Sequence, residues 1–172
     1  MERDVLFRPD RLKYVRRVIK DEACVFCKTR EMGVALESLC LYQSSHSMII
    51  LNKFPYNSGH VLVLPQRHVG EMLDLSMEEY TDLHVTLRKA VEAVTKVYSP
   101  GGLNLGMNLG AVAGAGIPAH LHYHVVPRWA GDLNFFPLVA ETKTVIENLE
   151  TSFERLLTYL KPALARENER TS

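Results

Sequence analysis

The stretch His120-Leu-His-Tyr-His-Val-Val-Pro127 alternates an imidazole with an apolar or aromatic side chain. In an extended strand alternate residues share a face. His120, His122 and His124 therefore point one way and Leu121, Tyr123 and Val125 the other, with about 6.6 Å between successive rings. An ordinary core does not gather three titratable rings on one face, because each would need a polar partner. A solitary histidine is different, and His46 and His84 are expected to be surface or hydrogen-bonded residues. The expectation is a strand from Leu121 to Arg128 that forms one wall of a site.

Working outward, Leu39 to Gln43, Ser47 to Asn52 and His60 to Leu64 are short, apolar and partly β-branched, with the turn-rich Phe54-Pro-Tyr-Asn-Ser-Gly59 between the last two. They read as a strand meander. From Ser76 the period lengthens: Met77, Tyr80, Leu83, Leu87, Val91, Val94 and Tyr98 recur at helical steps. Ser76 with Glu79 makes a capping box, and Pro100-Gly-Gly102 ends the helix. Leu103 to Asn108 is a further strand, joined to the histidine strand by Gly110-Ala-Val-Ala-Gly-Ala-Gly116. Val145, Ile146, Leu149, Phe153, Leu156 and Leu160 mark a C-terminal amphipathic helix that Pro162 ends or bends. The connections are mostly too short for parallel crossovers, so the fold class is α+β with an antiparallel sheet around one long helix.

The 172 residues read as a single unit: an N-terminal extension over 1–20 with an exposed helix near Arg11 to Lys20, a core over 21–130, and a C-terminal extension over 131–172 that frays from Glu167 to Ser172. Twenty basic and twenty acidic side chains leave no formal charge, which removes a general electrostatic case for nucleic acid or an anionic membrane as partner. No apolar run approaches the roughly 20 residues that cross a bilayer, and Met1-Glu-Arg-Asp does not open a secretory signal, so a cytoplasmic location is expected. Three cysteines make a disulfide framework improbable; Cys40 reads as a small core residue, whereas Cys24-Val-Phe-Cys27 has the spacing of a metal knuckle or a redox pair. Adding His68 and His120 would complete a closed tetrahedral zinc set of two sulfurs and two nitrogens.

His120-Leu-His-Tyr-His-Val-Val is similar to the signature of the histidine triad (HIT) superfamily of nucleotide hydrolases and transferases. Leu51-Asn-Lys-Phe-Pro55, Ser58-Gly-His-Val-Leu-Val-Leu-Pro65, the helix from Ser76 and Asn108-Leu-Gly follow in the family's order, so that the resemblance covers about residues 24 to 130. Val126-Pro-Arg-Trp-Ala-Gly-Asp-Leu-Asn-Phe135 resembles the bacterial branch that includes diadenosine tetraphosphate phosphorylase. The cysteine and histidine set resembles that of zinc-bearing bacterial triad proteins and galactose-1-phosphate uridylyltransferases.

The resemblance implies that His122 attacks the α-phosphorus of a nucleotide and carries the nucleotidyl group covalently, that His124 hydrogen-bonds the phosphate or leaving oxygen, and that His60 supports them. A neutral imidazole suits this task, since its phosphoramidate passes the group onward. His122 would need its other ring nitrogen held, for example by a backbone carbonyl. Phosphoryl charge would be met by Asn108 and by backbone N–H groups of Gly114-Ala-Gly116. Asn52 matches a ribose-binding position, and Phe26, Ile49 and Ile50 are base-pocket candidates. Where many members carry Gly-Gln-Ser, this chain has Gly116-Ile-Pro-Ala119, so side-chain hydrogen bonds from that stretch are missing.

The expected substrate is a purine nucleotide or dinucleoside polyphosphate, resolved from His122 by water or phosphate. Two alternatives stand: a hydrolase in which all three histidines ligate a catalytic zinc, and a nucleotide-binding regulator without turnover. The resemblance also implies a homodimer that uses the long helix and a neighbouring strand edge.

Overall fold

A computed structural model describes residues 24–132 and 147–168. In chain order the elements are α1 (Val25–Met32), β1 (Cys40–Gln43), β2 (Ser47–Leu51), β3 (Val61–Pro65), a 3-10 turn (Met72–Asp74), α2 (Met77–Tyr98), β4 (Gly102–Met107), β5 (Tyr123–Arg128) and α3 (Leu149–Asn168). The strands form one antiparallel sheet of order β1-β2-β3-β5-β4. This is the expected α+β architecture. The helix anticipated near Arg11 to Lys20 lies outside the described residues, as do Val145 and Ile146.

Both central strands, Ser-Met-Ile-Ile-Leu and Val-Leu-Val-Leu-Pro, are buried along their whole length because each face of the sheet is covered there. Ile49, Leu51, Val61, Val63 and Val125 pack against Leu83, Ala90 and Val94 of α2 and Phe153, Leu156 and Leu160 of α3. Each aliphatic side chain so buried stabilises the fold by about 1.5–3 kcal/mol. On the opposite face Met48, Ile50, Leu62 and Leu64 pack with Phe26 of α1 and Cys40. β4, at the sheet edge, is mostly exposed.

The long helix starts as its sequence requires. Ser76 accepts the Glu79 N–H at 3.2 Å, and the Glu79 carboxylate accepts the Ser76 N–H at 2.8 Å. Ser99, in the left-handed conformation with φ of 44°, closes the other end.

The structure differs from the sequence-based expectation in three places. α1 was not anticipated, since eight residues with cysteines at its start give too little apolar periodicity to reveal it. The C-terminal helix does not end at Pro162 but runs on to Asn168; docking of Phe153, Leu156 and Leu160 secures the preceding turns, and proline removes one backbone hydrogen bond rather than the whole repeat. The histidine strand begins at Tyr123, not Leu121. β3 stops at Pro65, so the Leu121 N–H turns to the Val69 carbonyl at 2.7 Å, and His120 and His122 occupy an extended lead-in instead of the ladder.

Candidate active site and metal centre

α1 begins beside the lead-in to β5. Cys24 caps the helix and Cys27 lies three residues on, a spacing that places both sulfurs on one helical face. His120 Nδ1 is 3.4 Å from Cys24 Sγ and 3.8 Å from Cys27 Sγ, and His68 Nδ1 is 3.4 Å from Cys27 Sγ. All four ligand atoms lie within 4.8 Å of one another. A tetrahedral zinc ion with bonds of about 2.3 Å to sulfur and 2.0 Å to nitrogen needs ligand separations of about 3.3 to 3.8 Å, so this donor set fits the ion with side-chain adjustments on the order of 1 Å. His120 Nε2 donates to the Pro65 carbonyl at 2.9 Å, which fixes the tautomer with Nδ1 as the ligand atom. Burial pushes the His120 imidazole down to about 4, so it is held in the neutral form that a metal binds.

His122 is buried next to this cluster but takes no part in it. Its Nδ1–H donates to the His120 carbonyl at 2.8 Å, leaving Nε2 with the lone pair. Burial holds this imidazole below its ordinary value, so it is neutral near pH 7. The Phe26 ring stands edge-on to His120 and His122, 5.3 Å from each.

A second chain of hydrogen bonds determines the tautomer of His124. The Tyr56 backbone N–H can only donate, and it reaches His60 Nδ1 at 3.0 Å. His60 must then carry its proton on Nε2, which lies 3.0 Å from His124 Nδ1. His124 Nδ1 accepts, and the neutral ring is left with its N–H at Nε2. The His122 and His124 rings are 5.1 Å apart. A nucleophilic nitrogen and an N–H donor therefore stand side by side. Just before His60, Gly59 has φ of +75°, and a Cβ there would come 2.5 Å from the Tyr98 ring, so glycine is the residue this turn accommodates.

The expected nucleotide contacts fare unevenly. Asn108 donates to the Gly114 carbonyl at 3.3 Å, which ties strand β4 to the glycine turn. The Gly114 and Ala115 amides close that turn on the Ala111 and Gly110 carbonyls, at 3.0 and 3.3 Å. Two of the three N–H groups expected to cradle phosphate are thus engaged, and the exposed Gly116 N–H makes no backbone bond among the described residues. Asn52 accepts the Phe54 N–H at 3.0 Å, and its amide nitrogen lies 3.3 Å from His60. Ile50 and Phe26 share the active-site face, both almost fully buried, but Ile49 points into the helix-covered core because neighbouring strand residues face opposite ways. His46 approaches Glu78 at 3.2 Å, and His84 approaches the Tyr80 carbonyl at 2.8 Å and the Tyr123 hydroxyl at 3.3 Å.

Several contributors had no recognisable mark in the sequence. The Pro65 and His120 carbonyls and the Tyr56 N–H are backbone groups, and Asn57, which donates to the Pro127 carbonyl at 2.8 Å and to Asp132 at 2.9 Å, is separated from both by some 70 residues.

A family model described as HIT domain matches residues 35–131. An AP-4-A phosphorylase of Mycobacterium tuberculosis is 41% identical over 121 residues, covering 70% of this chain and 62% of that protein. A bis(5'-nucleosyl)-tetraphosphatase (asymmetrical) of Schizosaccharomyces pombe is 38% identical over 102 residues, 59% of this chain and 56% of that one. The chain thus spans about 60% of the length of these curated relatives. Among solved structures, a Zn-bound histidine triad family protein from Mycobacterium smegmatis superposes with a TM-score of 0.65 at 26% identity, covering 85% of this chain and 99% of that one.

Proposed function

The chain belongs to the HIT domain family, and from that premise we propose that it transfers nucleotidyl groups, splitting dinucleoside polyphosphates at the α-phosphate through an intermediate on His122. The observation that carries this reading is the hydrogen bond from His122 Nδ1–H to the His120 carbonyl, which leaves Nε2 as a nucleophile in a buried, neutral ring. It is supported by the relatives named for action on diadenosine tetraphosphate and bis-nucleosyl tetraphosphates.

In the first step His122 Nε2 forms a bond to the α-phosphorus while the bond from that phosphorus to the bridging oxygen breaks, and the remaining polyphosphate leaves with the electron pair. Positive charge arises on the His122 ring, and the His120 carbonyl, already aligned at 2.8 Å, stabilises it. The His124 N–H meets the departing or phosphoryl oxygen. In the second step water or inorganic phosphate attacks the same phosphorus and the bond to nitrogen breaks.

Zinc, bound by Cys24, Cys27, His68 and His120, would supply structural cross-linking, since the four side chains fill a tetrahedral coordination sphere and leave no open position. This pins α1 and the loop after β3 to the residue that orients His122. A catalytic ion shared by the three histidines is disfavoured, because His120 has one ring nitrogen on the Pro65 carbonyl and the other toward the sulfurs. The same reading includes a homodimer, for which edge strand β4 with exposed Leu105 is a suitable surface, and a cytoplasmic setting. No helix among the described residues is long and apolar enough to cross a membrane.

The test incubates pure protein with diadenosine tetraphosphate, other dinucleoside polyphosphates and nucleoside phosphoramidates, with and without inorganic phosphate. ADP release from diadenosine tetraphosphate only with phosphate marks phosphorolysis, and equal cleavage without it marks hydrolysis. Tight binding with no turnover of any substrate would overturn the enzymatic reading in favour of a regulator.

A further inference from the structure

The active-site face does not stop at His124. β4 pairs with β5 so that Gly106 lies opposite His124 and Asn104 opposite Val126. Directly paired residues of antiparallel strands project to the same side, so Asn108, Gly106 and Asn104 continue the face that bears the histidines, as do Val126 and Arg128. Gly106 has no side chain, and a Cβ built there would meet nothing within 4 Å. The result is an open cavity of about 450 Å³ that begins at His124 and Tyr56 and runs along β4 and β5 to Arg128. That volume is within the range of small-molecule sites.

Two polar groups in this cavity are held in fixed orientations. Arg128 donates from Nε and one terminal nitrogen to the two oxygens of Asp132, at 2.6 and 2.8 Å, and from the other terminal nitrogen to Asn104 Oδ1 at 2.7 Å. A guanidinium can only donate, so the Asn104 amide must turn its oxygen toward Arg128 and its NH2 group away from it. Two of the five guanidinium N–H groups make no bond among the described residues. Among the described residues the cavity lining therefore presents N–H donors and no carboxylate, and Asp132, the partner of Arg128, is not one of its lining residues. Asn104 is about 7 Å further along the sheet than His124, the scale of a short polyphosphate chain.

Phe26 and Ile50 lie on the β2 and β3 side of the histidines, and the cavity lies on the β4 side. A nucleotide held with its α-phosphate at His122 and its nucleoside toward Phe26 leaves the β4 side for whatever is attached beyond the scissile bond. We infer that this cavity is the subsite for the leaving nucleotide, with the Asn104 amide and the Arg128 guanidinium donating to phosphates distal to the one attacked. The inference rests on the nucleotidyl-transfer reading above and deepens it: it makes the enzyme selective for substrates with a long anionic leaving group.

The test replaces the exposed Asn104, which carries no core contact, with Ala and with Asp. Two substrates are compared: diadenosine tetraphosphate and adenosine 5'-phosphorimidazolide, whose leaving group is too small to reach Asn104. The expected result for N104A is a fall of about tenfold in kcat/KM for the tetraphosphate, the loss of one hydrogen bond to a charged oxygen. A larger fall is expected for N104D, and a change of less than about twofold for the imidazolide in both variants. An equal fall on both substrates, or none on the tetraphosphate, overturns the subsite. If the wild-type protein turns over neither substrate, the enzymatic reading fails by itself. The subsite is then judged by calorimetric titration of AMP and a methylene-bridged tetraphosphate analogue: it stands if N104A weakens only the analogue, and falls if N104A weakens both alike or neither.

Discussion

The Nδ1–H of His122 donates to the carbonyl oxygen of His120 at 2.8 Å, so the residue that presents a nucleophile is oriented by the backbone of a residue whose own side chain belongs to the Cys24, Cys27 and His68 cluster. Replacing His122 with Ala is expected to lower kcat on diadenosine tetraphosphate by a factor on the order of 10³ or more while leaving the melting temperature close to wild type. Rapid acid-free quenching followed by mass spectrometry should show a nucleotidyl adduct on the wild-type His122 peptide. Unimpaired turnover by the variant would remove the covalent mechanism.

The purified protein is expected to hold about one zinc ion per chain. Replacement of Cys24 with Ser or His68 with Ala should release it and lower the melting temperature, as elemental analysis and calorimetry would read. Replacement of His124 with Ala should leave the metal content unchanged. Loss of metal on replacement of His124 would instead support an ion shared by the triad.

His60 reaches His124 through its Nε2 at 3.0 Å, and is a positioning residue. Its replacement by Ala removes the group that fixes the His124 proton on Nε2 and should reduce kcat by about 10- to 100-fold, with a smaller change in KM. Nitrogen-detected NMR of the imidazoles should report a single His124 tautomer in the wild type and a mixture in the variant. A single unchanged tautomer would disprove the relay.

Glu79 accepts from Arg67 at 2.6 and 2.9 Å as well as from the Ser76 N–H, and these bonds lower its carboxyl to about 2. A depressed carboxylate adds stability above its unfolded value, near 4.3, and loses it as pH falls toward 2. The Glu79→Gln variant should therefore melt at a lower temperature than wild type at pH 7, with the two converging as the pH approaches 2. The exposed Arg67 side keeps this effect modest. A gap that persists unchanged at pH 2 would show that the carboxylate charge is not its source.

Short apolar, partly β-branched runs, the histidine alternation and helical spacing located the five strands of the described residues, the long helix and the C-terminal helix, because the central strands and the helices bury side chains whose spacing is written in apolar residues. The histidine alternation and the cysteine spacing pointed to the chemistry proposed above, since few other side chains serve as nitrogen nucleophiles or soft metal ligands. What could not be read was whichever contact used backbone or joined distant segments. The Pro65 carbonyl on His120, the Tyr56 N–H on His60, the self-closed glycine turn and the Arg128 grip on Asn104 depend on where the chain passes itself. Patterning specifies which residues must be buried, but a ring's tautomer is decided by the single donor or acceptor brought within 3 Å of it, and only the packed sheet and loops bring that partner there.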